Sequence, residues 1–252
     1  MTIDLNCDMG ESYGVYIIGN DDTVMPFISS ANIACGYHAG DPIVIGKTIR
    51  LALHHAVAIG AHPGYPDREG FGRRSLQMTT EEIYAMVLYQ VSALKSMTEA
   101  LGGTLHHVKP HGALYNDAAQ NPAIALAITR AVKDIDSGLL FFGLASSEMI
   151  TAARHTGLQP VSEIFADRSY NDDGSLVHRS KPGAVLSDMN AVSDRIVSMV
   201  KTGKVITVTG KTIPIAAETI CIHGDNPHAP EFASTINERL KKEGITIQTP
   251  QR

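Results

Sequence analysis

The chain has 252 residues, 44% hydrophobic and 19% charged, and a formal net charge of −5. This is ordinary globular composition, with enough apolar material for one large core and a length usual for a single α/β barrel spanning residues 1–252. The acidic balance without a basic run argues against a nucleic-acid partner. The absence of a basic-then-apolar start, or of any run near ~18 apolar residues, argues against secretion and membrane insertion and leads us to expect a cytoplasmic protein.

Residues 3–8 read as a strand with Asp4, Asn6 and Asp8 on one face and Ile3, Leu5 and Cys7 on the other. The apolar face should meet helices. The polar face then points into an interior that is usually aliphatic, which is costly unless its groups are paired, hydrated or metal-bound. Residues 31–35 form a second expected strand, running into Gly36-Tyr37-His38-Ala39-Gly40-Asp41. Asp41-Pro42 opens a helix as N-cap and first-turn proline, with Ile45, Ile49, Leu53 and Val57 on one face up to Gly60. A third strand, residues 57–62, overlaps that helix end and enters a Gly- and Pro-rich loop through Asp67 and Gly70-Phe71-Gly72-Arg73-Arg74. Thr79-Thr80-Glu81-Glu82 is a capping box for a long helix that turns Ile83, Val87, Leu88, Val91, Leu94 and Leu101 inward and stops at Gly102-Gly103.

The fourth strand is the stretch His106-His107-Val108-Lys109-Pro110-His111-Gly112-Ala113-Leu114-Tyr115-Asn116, a short strand running into a turn crowded with a cation, imidazoles, a phenol and an amide. Period-2 alternation puts His107, Lys109 and His111 on one side of it, where an aliphatic strand end would be the norm. Asn121-Pro122 starts a helix with Ile124, Ile128 and Val132 inward, and residues 139–145 read as a fully buried strand. A short helix from Ser147 stops at Gly157, and a sixth strand over 161–167 leads into Asp167-Arg168-Ser169-Tyr170 and a turn at 171–174. A helix over about 187–202, a hairpin over 205–215, a last core strand over 219–223 and a helix over 231–242 complete the chain.

Strand and helix alternate about seven times without linker or repeat, which indicates one α/β domain with a mainly parallel sheet. Polar clusters follow almost every strand: Asp8 and Glu11, His38 and Asp41, His62 and Asp67, Lys109 and His111, Glu163, Asp167 and Arg168, His223 and Asp225. An open sheet would concentrate them at one switch point, whereas a closed barrel brings every strand end to one mouth. Asp8, His38 and His62 are suited to a divalent metal such as Zn²⁺, and a metal-free hydrogen-bonded network is the alternative. Cys7, Cys35 and Cys221, odd in number and far apart, read as reduced thiols. Gly210-Lys211-Thr212 has Val205 at the place where a phosphate-binding loop requires Gly, and His54-His55 reads as helix surface.

With those residues in place, the chain resembles the lactam utilisation protein family, whose characterised function is as the A component of an ATP-dependent 5-oxoprolinase. The likeness is carried by Asp4-Leu5-Asn6-Cys7-Asp8, Ala31-Asn32-Ile33-Ala34-Cys35-Gly36, His38-Ala39-Gly40-Asp41, Gly60-Ala61-His62-Pro63 and Gly70-Phe71-Gly72-Arg73-Arg74. It continues through residues 107–116, Phe165-Ala166-Asp167-Arg168 and Cys221-Ile222-His223-Gly224-Asp225. Ser12 stands where the family pattern leads us to expect Gly, and His178 where it leads us to expect Pro before Arg179.

The resemblance implies a deformed (β/α) barrel similar to the glycoside hydrolase/deacetylase superfamily. It also implies an ATP-dependent cyclic-amide hydrolase that works with two partner subunits, the B and C components, to open 5-oxo-L-proline to L-glutamate. ATP would be bound by the chain or by its partners. Candidate catalytic residues are Asp8, Lys109, His111, Glu163 and Arg168, with Asn6, Asn32, Arg73, Tyr115, Asn116 and Asp225 for substrate. Lactam opening needs carbonyl activation, a nucleophilic water and protonation of the leaving nitrogen. Asp8 or His111 could serve the water, Lys109 the oxyanion, and Arg168 or Arg73 the substrate carboxylate. Two other readings are a metal-dependent deacetylase using Asp8, His38 and His62, and a non-catalytic lactam-binding subunit.

Overall fold

A computed structural model describes residues 1–186, 188–222 and 229–251. Six strands follow one another in chain order: β1 (Thr2–Met9), β2 (Ser30–Ala34), β3 (Ala58–His62), β4 (Leu105–Val108), β5 (Leu140–Leu144) and β6 (Gln159–Phe165). A two-stranded antiparallel hairpin, β7 (Lys204–Ile206) and β8 (Thr212–Pro214), interrupts the series before β9 (Thr219–Ile222). The order β1-β2-β3-β4-β5-β6-β9 is parallel throughout, and β9 pairs back onto β1 at Asp4↔Thr219, which closes a seven-stranded barrel. A short strand, β10 (Thr246–Ile247), adds to the outer start of β1 at Thr2 and Ile3.

The helices cover the outside of the barrel. They are α1 (Asp21–Val24), α2 (Pro42–His54), α3 (Thr80–Ala100), α4 (Gly112–Gln120), α5 (Pro122–Ile135), α6 (Glu148–Thr156), α7 (Met189–Thr202) and α8 (Ala229–Lys242), with a 3₁₀ turn at Met25–Phe27. Their starts are written in the sequence. Asp41 caps α2 by accepting from the Ile43 and Val44 amides, and Asn121 caps α5 by accepting from those of Ala123 and Ile124. Thr79 and Glu82 form the reciprocal box of α3. Among the described residues no helix is long and apolar enough to cross a membrane.

Three expectations change. The helix from Pro42 ends at His54 rather than reaching Val57, because Ala56 takes φ +55° and turns the chain into β3. The polar turn after β4 is a turn only to His111, and Gly112 then begins α4, whose Ala113, Leu114 and Ala118 are buried. The helix expected from about residue 187 begins at Met189, capped by Asp188. Gly210-Lys211 lies in the hairpin between β7 and β8, with the wrong context for a phosphate loop. His223 and Asp225 lie outside the described residues.

What positions the site is the unusual filling of the barrel. Ile3, Leu5, Cys7 and Met9 face the helices and are buried, while Asp4, Asn6 and Asp8 alternate inward. At ~3.3 Å rise per residue, successive inward groups on β1 sit roughly 6.6 Å apart and mark three polar layers. The lowest is Asp4, 1% exposed, which accepts hydrogen bonds from the hydroxyls of Ser29 (2.6 Å), Ser30 (2.7 Å) and Thr219 (2.5 Å). Burial pushes its carboxyl up to about 6, partly offset by those three donors.

A carboxyl whose pKa rises from 3.8 unfolded to about 6 folded binds protons more tightly in the native state. Its penalty is therefore absent below pH 4, grows between 4 and 6, and is complete above 6. Asp4→Asn should remove that slope and raise unfolding stability at pH 7–8 by up to about 3 kcal/mol, with no gain at pH 4. Urea melts of both proteins across this pH range check it, and an equal effect at all pH values would show that Asp4 is already ionised at no cost.

Candidate functional site

The middle layer is a closed set of amide, imidazole and carboxylate bonds. The Asn6 side-chain amide donates to Glu163 Oε1 (2.9 Å) and Thr219 Oγ1 (2.7 Å), and its oxygen accepts from Asn32 Nδ2 (2.7 Å). His107 Nε2 donates to Asn32 Oδ1 (2.8 Å), and its ring stacks on Phe142 with centroids 4.1 Å apart. The backbone of β3 makes room for this ring. A Cβ on Gly60 would lie 2.1 Å from His107 Nε2, so glycine is required there by close approach.

The upper layer is centred on Lys109, 2% exposed. Its ammonium lies 2.9 Å from Asp8 Oδ1, 2.9 Å from Glu163 Oε1, 3.1 Å from Asn6 Oδ1 and 3.0 Å from Cys221 Sγ. An ammonium has three donors, and all are taken within the protein. Burial alone would drive its pKa down, but the Asp8 and Glu163 charges hold it well above its usual value. Lys109 therefore orients two carboxylates, and the oxyanion role expected from sequence does not suit it. Asp8 is fixed through one oxygen, Oδ1, by Lys109 and by Asn32 Nδ2 (2.8 Å), while Oδ2 sits 3.4 Å from His62 Nε2.

Three imidazoles gather beside Asp8. His62 Nδ1 donates to the Lys109 carbonyl (2.7 Å), and His111 Nε2 donates to the Phe71 carbonyl (2.8 Å). His111 Nδ1 then lies 3.0 Å from His62 Nε2. The His38 ring stacks parallel on that of His111, 3.7 Å between centroids, and Glu11 Oε1 is 3.4 Å from His38 Nε2 and 3.6 Å from His111 Nδ1. Burial, and then the neighbouring imidazoles, push both His38 and His111 well below the usual histidine value, so both rings are neutral at pH 7. Phe71 holds its carbonyl in place from a left-handed backbone, φ +53°, an uncommon conformation for a bulky residue.

These groups open onto a cavity of about 610 Å³. Of the residues singled out from sequence, Asp8, Glu11, His62, Arg73, Lys109, His111, Tyr115, Asn116 and Arg168 line it. Asn6, Asn32, His38 and Glu163 lie behind this lining as buried supports. Asp41 and Asp67 belong elsewhere, the first as the α2 cap and the second bound to Arg74. Tyr115 is held protonated by burial and by the Glu163 carboxylate beside it. Arg168, 5% exposed, donates through Nη2 to the Val177 carbonyl (2.6 Å), and its Nε has no hydrogen-bond partner among the described residues. Burial and the nearby Arg179 charge lower its pKa to about 10.

From sequence, the metal-type ligands are Asp8, His38 and His62. The structure brings Glu11 and His111 to His38 and His62, with one ligand atom from each of the four within 4.8 Å of the others, and Asp8 Oδ2 lies 3.4 Å from His62 Nε2. Glu11 reads in the sequence only as a strand-end acid, and nothing in its spacing marks it as a partner of three histidines. The wall formed by Ser146, Ser147, His178 and Arg179 has no counterpart in the residue pattern. Ser146, with φ +64°, carries no sequence signal for that conformation. The three cysteines are free and buried, and burial raises Cys35 to about 12 and the other two well above their usual value, so all three remain thiols.

The LamB/YcsF family profile matches residues 3–252. The chain is 50% identical over 251 residues to a protein of Geobacillus kaustophilus named as the A subunit of 5-oxoprolinase, covering 100% of this chain and 98% of that one. Its fold superposes on the lactam utilization protein from Thermus thermophilus with TM-score 0.94 and 45% identity, over 98% of this chain and 99% of the other. The catalytic domain of a peptidoglycan N-acetylglucosamine deacetylase from Eubacterium rectale has the same fold at TM-score 0.53 and 10% identity, over 99% and 88% of the two chains.

The Lys109 arrangement makes a prediction about folding. Lys109→Met would leave Asp8 and Glu163 buried without their shared cation, and removing one partner of a buried pair typically costs ~3–5 kcal/mol. The melting temperature should fall by roughly 10 °C. Calorimetry on the purified variant checks this, and wild-type stability would show that the two carboxylates do not depend on the ammonium.

Proposed function

The chain belongs to the LamB/YcsF family, and on that footing we propose that it acts as the A component of an ATP-dependent 5-oxoprolinase, opening the lactam of 5-oxo-L-proline to L-glutamate together with the B and C partner subunits. The observation that carries this reading is the lining of one cavity. It contains a carboxylate, Asp8, with one oxygen locked by Lys109 and Asn32, and a buried guanidinium, Arg168, whose Nε lacks an acceptor among the described residues. A small substrate with one carboxylate and one stabilised amide matches that pair. The names carried by relatives at about half identity support the same substrate.

The roles follow from the chemistry of lactam opening. Arg168 takes the substrate carboxylate, with Arg73 as a second cation on the same wall. Asp8, aimed by Lys109 and Asn32, accepts a proton from the attacking water. The water oxygen bonds to the carbonyl carbon, the carbon–nitrogen bond breaks, and the nitrogen takes up the proton held by Asp8 and leaves as the amine of glutamate. Tyr115, protonated and buried, donates a hydrogen bond to the carbonyl oxygen as it gains charge. Glu163, Asn6 and Asn32 act through Lys109 and Asp8 and do not touch substrate. Asn116, at the cavity rim, is available to substrate, and Asp225 is retained as a candidate from sequence alone.

ATP is the co-substrate in this reading. With no phosphate-binding loop of the GxxxxGK[ST] type in the sequence, we assign nucleotide handling to the partner subunits. An ATP-consuming amide hydrolase of this kind belongs in the cytoplasm. Deacetylation of an acetylated amino sugar is the second reading, favoured by the imidazole–carboxylate group beside Asp8.

The test is 5-oxoproline-dependent ADP release by the chain alone and with its partner subunits, beside acetate release from acetylated sugars. ADP release should require the full set. Asp8→Asn should lower it by roughly 10²-fold or more, and Arg168→Lys should mainly raise KM. Acetate release without ADP release would favour the deacetylase, and full activity of the complex with Asp8→Asn would remove the proposed base.

A further inference from the structure

We propose that Glu11, His38, His62 and His111 form a binding site for one divalent transition-metal ion, with Glu11 Oε1, His38 Nε2, His62 Nε2 and His111 Nδ1 as the donor atoms. Three observations carry the inference, and none depends on the lactam reading.

The first is a confrontation of lone pairs. His62 gives its Nδ1 proton to the Lys109 carbonyl and His111 gives its Nε2 proton to the Phe71 carbonyl, and a carbonyl can only accept. The two nitrogens left over face one another at 3.0 Å, and wherever neither holds a proton both present lone pairs. Two acceptors at hydrogen-bond distance repel unless a cation lies against both. A histidine that binds a metal through one nitrogen and gives its other N–H to a backbone carbonyl is the usual arrangement of an imidazole ligand.

The second is His38. It is 1% exposed, and neither of its ring nitrogens has a hydrogen-bond partner among the described residues. Buried imidazoles are rarely left so. Its Nε2 points to the same Glu11 oxygen that faces His111 Nδ1, at 3.4 and 3.6 Å. With metal–ligand bonds of ~2.1 Å, neighbouring donors stand roughly 3.0–3.5 Å apart; three of the donor pairs stand at 3.0, 3.4 and 3.6 Å, and all four atoms lie within 4.8 Å of one another.

The third is that the backbone is shaped around the rings. A Cβ on Gly64 would come within 2.6 Å of His38 Nδ1. On Gly72 it would lie 2.7 Å from His38 Cβ and 2.8 Å from His111 Cδ2, at a position that also needs φ +63°. Either side chain would push the imidazoles apart. Three nitrogen donors and one carboxylate select Zn²⁺ or a similar first-row ion over Mg²⁺ or Ca²⁺, which take oxygen ligands. Asp8 stands next to this donor set, 3.4 Å from His62 Nε2, and is not one of the four.

The test uses tag-free full-length protein stripped with a chelator and titrated with Zn²⁺ or Co²⁺ by calorimetry and elemental analysis. One ion per chain is expected, with a melting temperature raised by roughly 5 °C or more at about 100 times Kd. Glu11→Gln and His38→Gln should each weaken binding by at least about 10-fold, while His54→Ala, on the surface, should not. Should either variant misfold, the visible spectrum of wild-type protein with Co²⁺ decides. A nitrogen-rich site of low coordination number supports the proposal, and the spectrum of a hydrated octahedral ion overturns it. Failure to bind either ion, or binding undiminished in both folded variants, also overturns it. No readout involves turnover, so the outcome is independent of the proposed lactam chemistry.

Discussion

Lys109 occupies space that a barrel of this kind normally fills with aliphatic side chains. Its ammonium is tolerated there because Asp8 and Glu163 approach it at the same distance, 2.9 Å, and Asn6 and Cys221 complete its shell. The dependence is mutual. Both buried carboxylates lean on the same ammonium, and Asn6 and Asn32 are held in turn by the groups they bridge. The network therefore acts as packing and as preorganisation together. It fills the barrel, and it holds Asp8 in the cavity wall through Oδ1.

The backbone supplies what the side chains cannot. The approach of His107 to β3 needs glycine at residue 60, and the stacked His38 and His111 rings need glycine at residues 64 and 72. Phe71, in a left-handed conformation, places the carbonyl that sets the His111 tautomer. Local strain of this sort persists only where surrounding contacts over-determine it, and here those contacts belong to the imidazole cluster. The loop after β3 is thus a structural part of the site, although it contributes few groups that could themselves do chemistry.

The barrel is shared with a peptidoglycan deacetylase at 10% identity, a likeness of fold alone. Function on such a fold is decided by the groups at the strand ends. Here these are an oriented carboxylate, a buried guanidinium and a histidine–glutamate cluster around one cavity. Their combination is a property of this chain's side chains and would not follow from the seven strands.

Much of this is legible in the sequence. Alternation of Asp4, Asn6 and Asp8 with Ile3, Leu5 and Cys7 announces a polar interior, because side chains on a strand alternate strictly. The recurrence of charged groups after successive strands announces a closed barrel with one mouth, since parallel strands all end on the same side. Helix starts at Asp41-Pro42, Thr79 and Asn121-Pro122 are local hydrogen-bonding events and are readable as such. The pairing of those charged groups is not readable, because partners such as Lys109 and Asp8 are 101 residues apart and only barrel closure sets their distance. For the same reason the sequence offers Asp8 as a companion of His38 and His62 but not Glu11 and His111, which the tertiary structure brings to the same group. The choice among acids at one barrel mouth depends on loop conformations such as Phe71 and Gly72, and these are fixed by long-range packing rather than by any local preference.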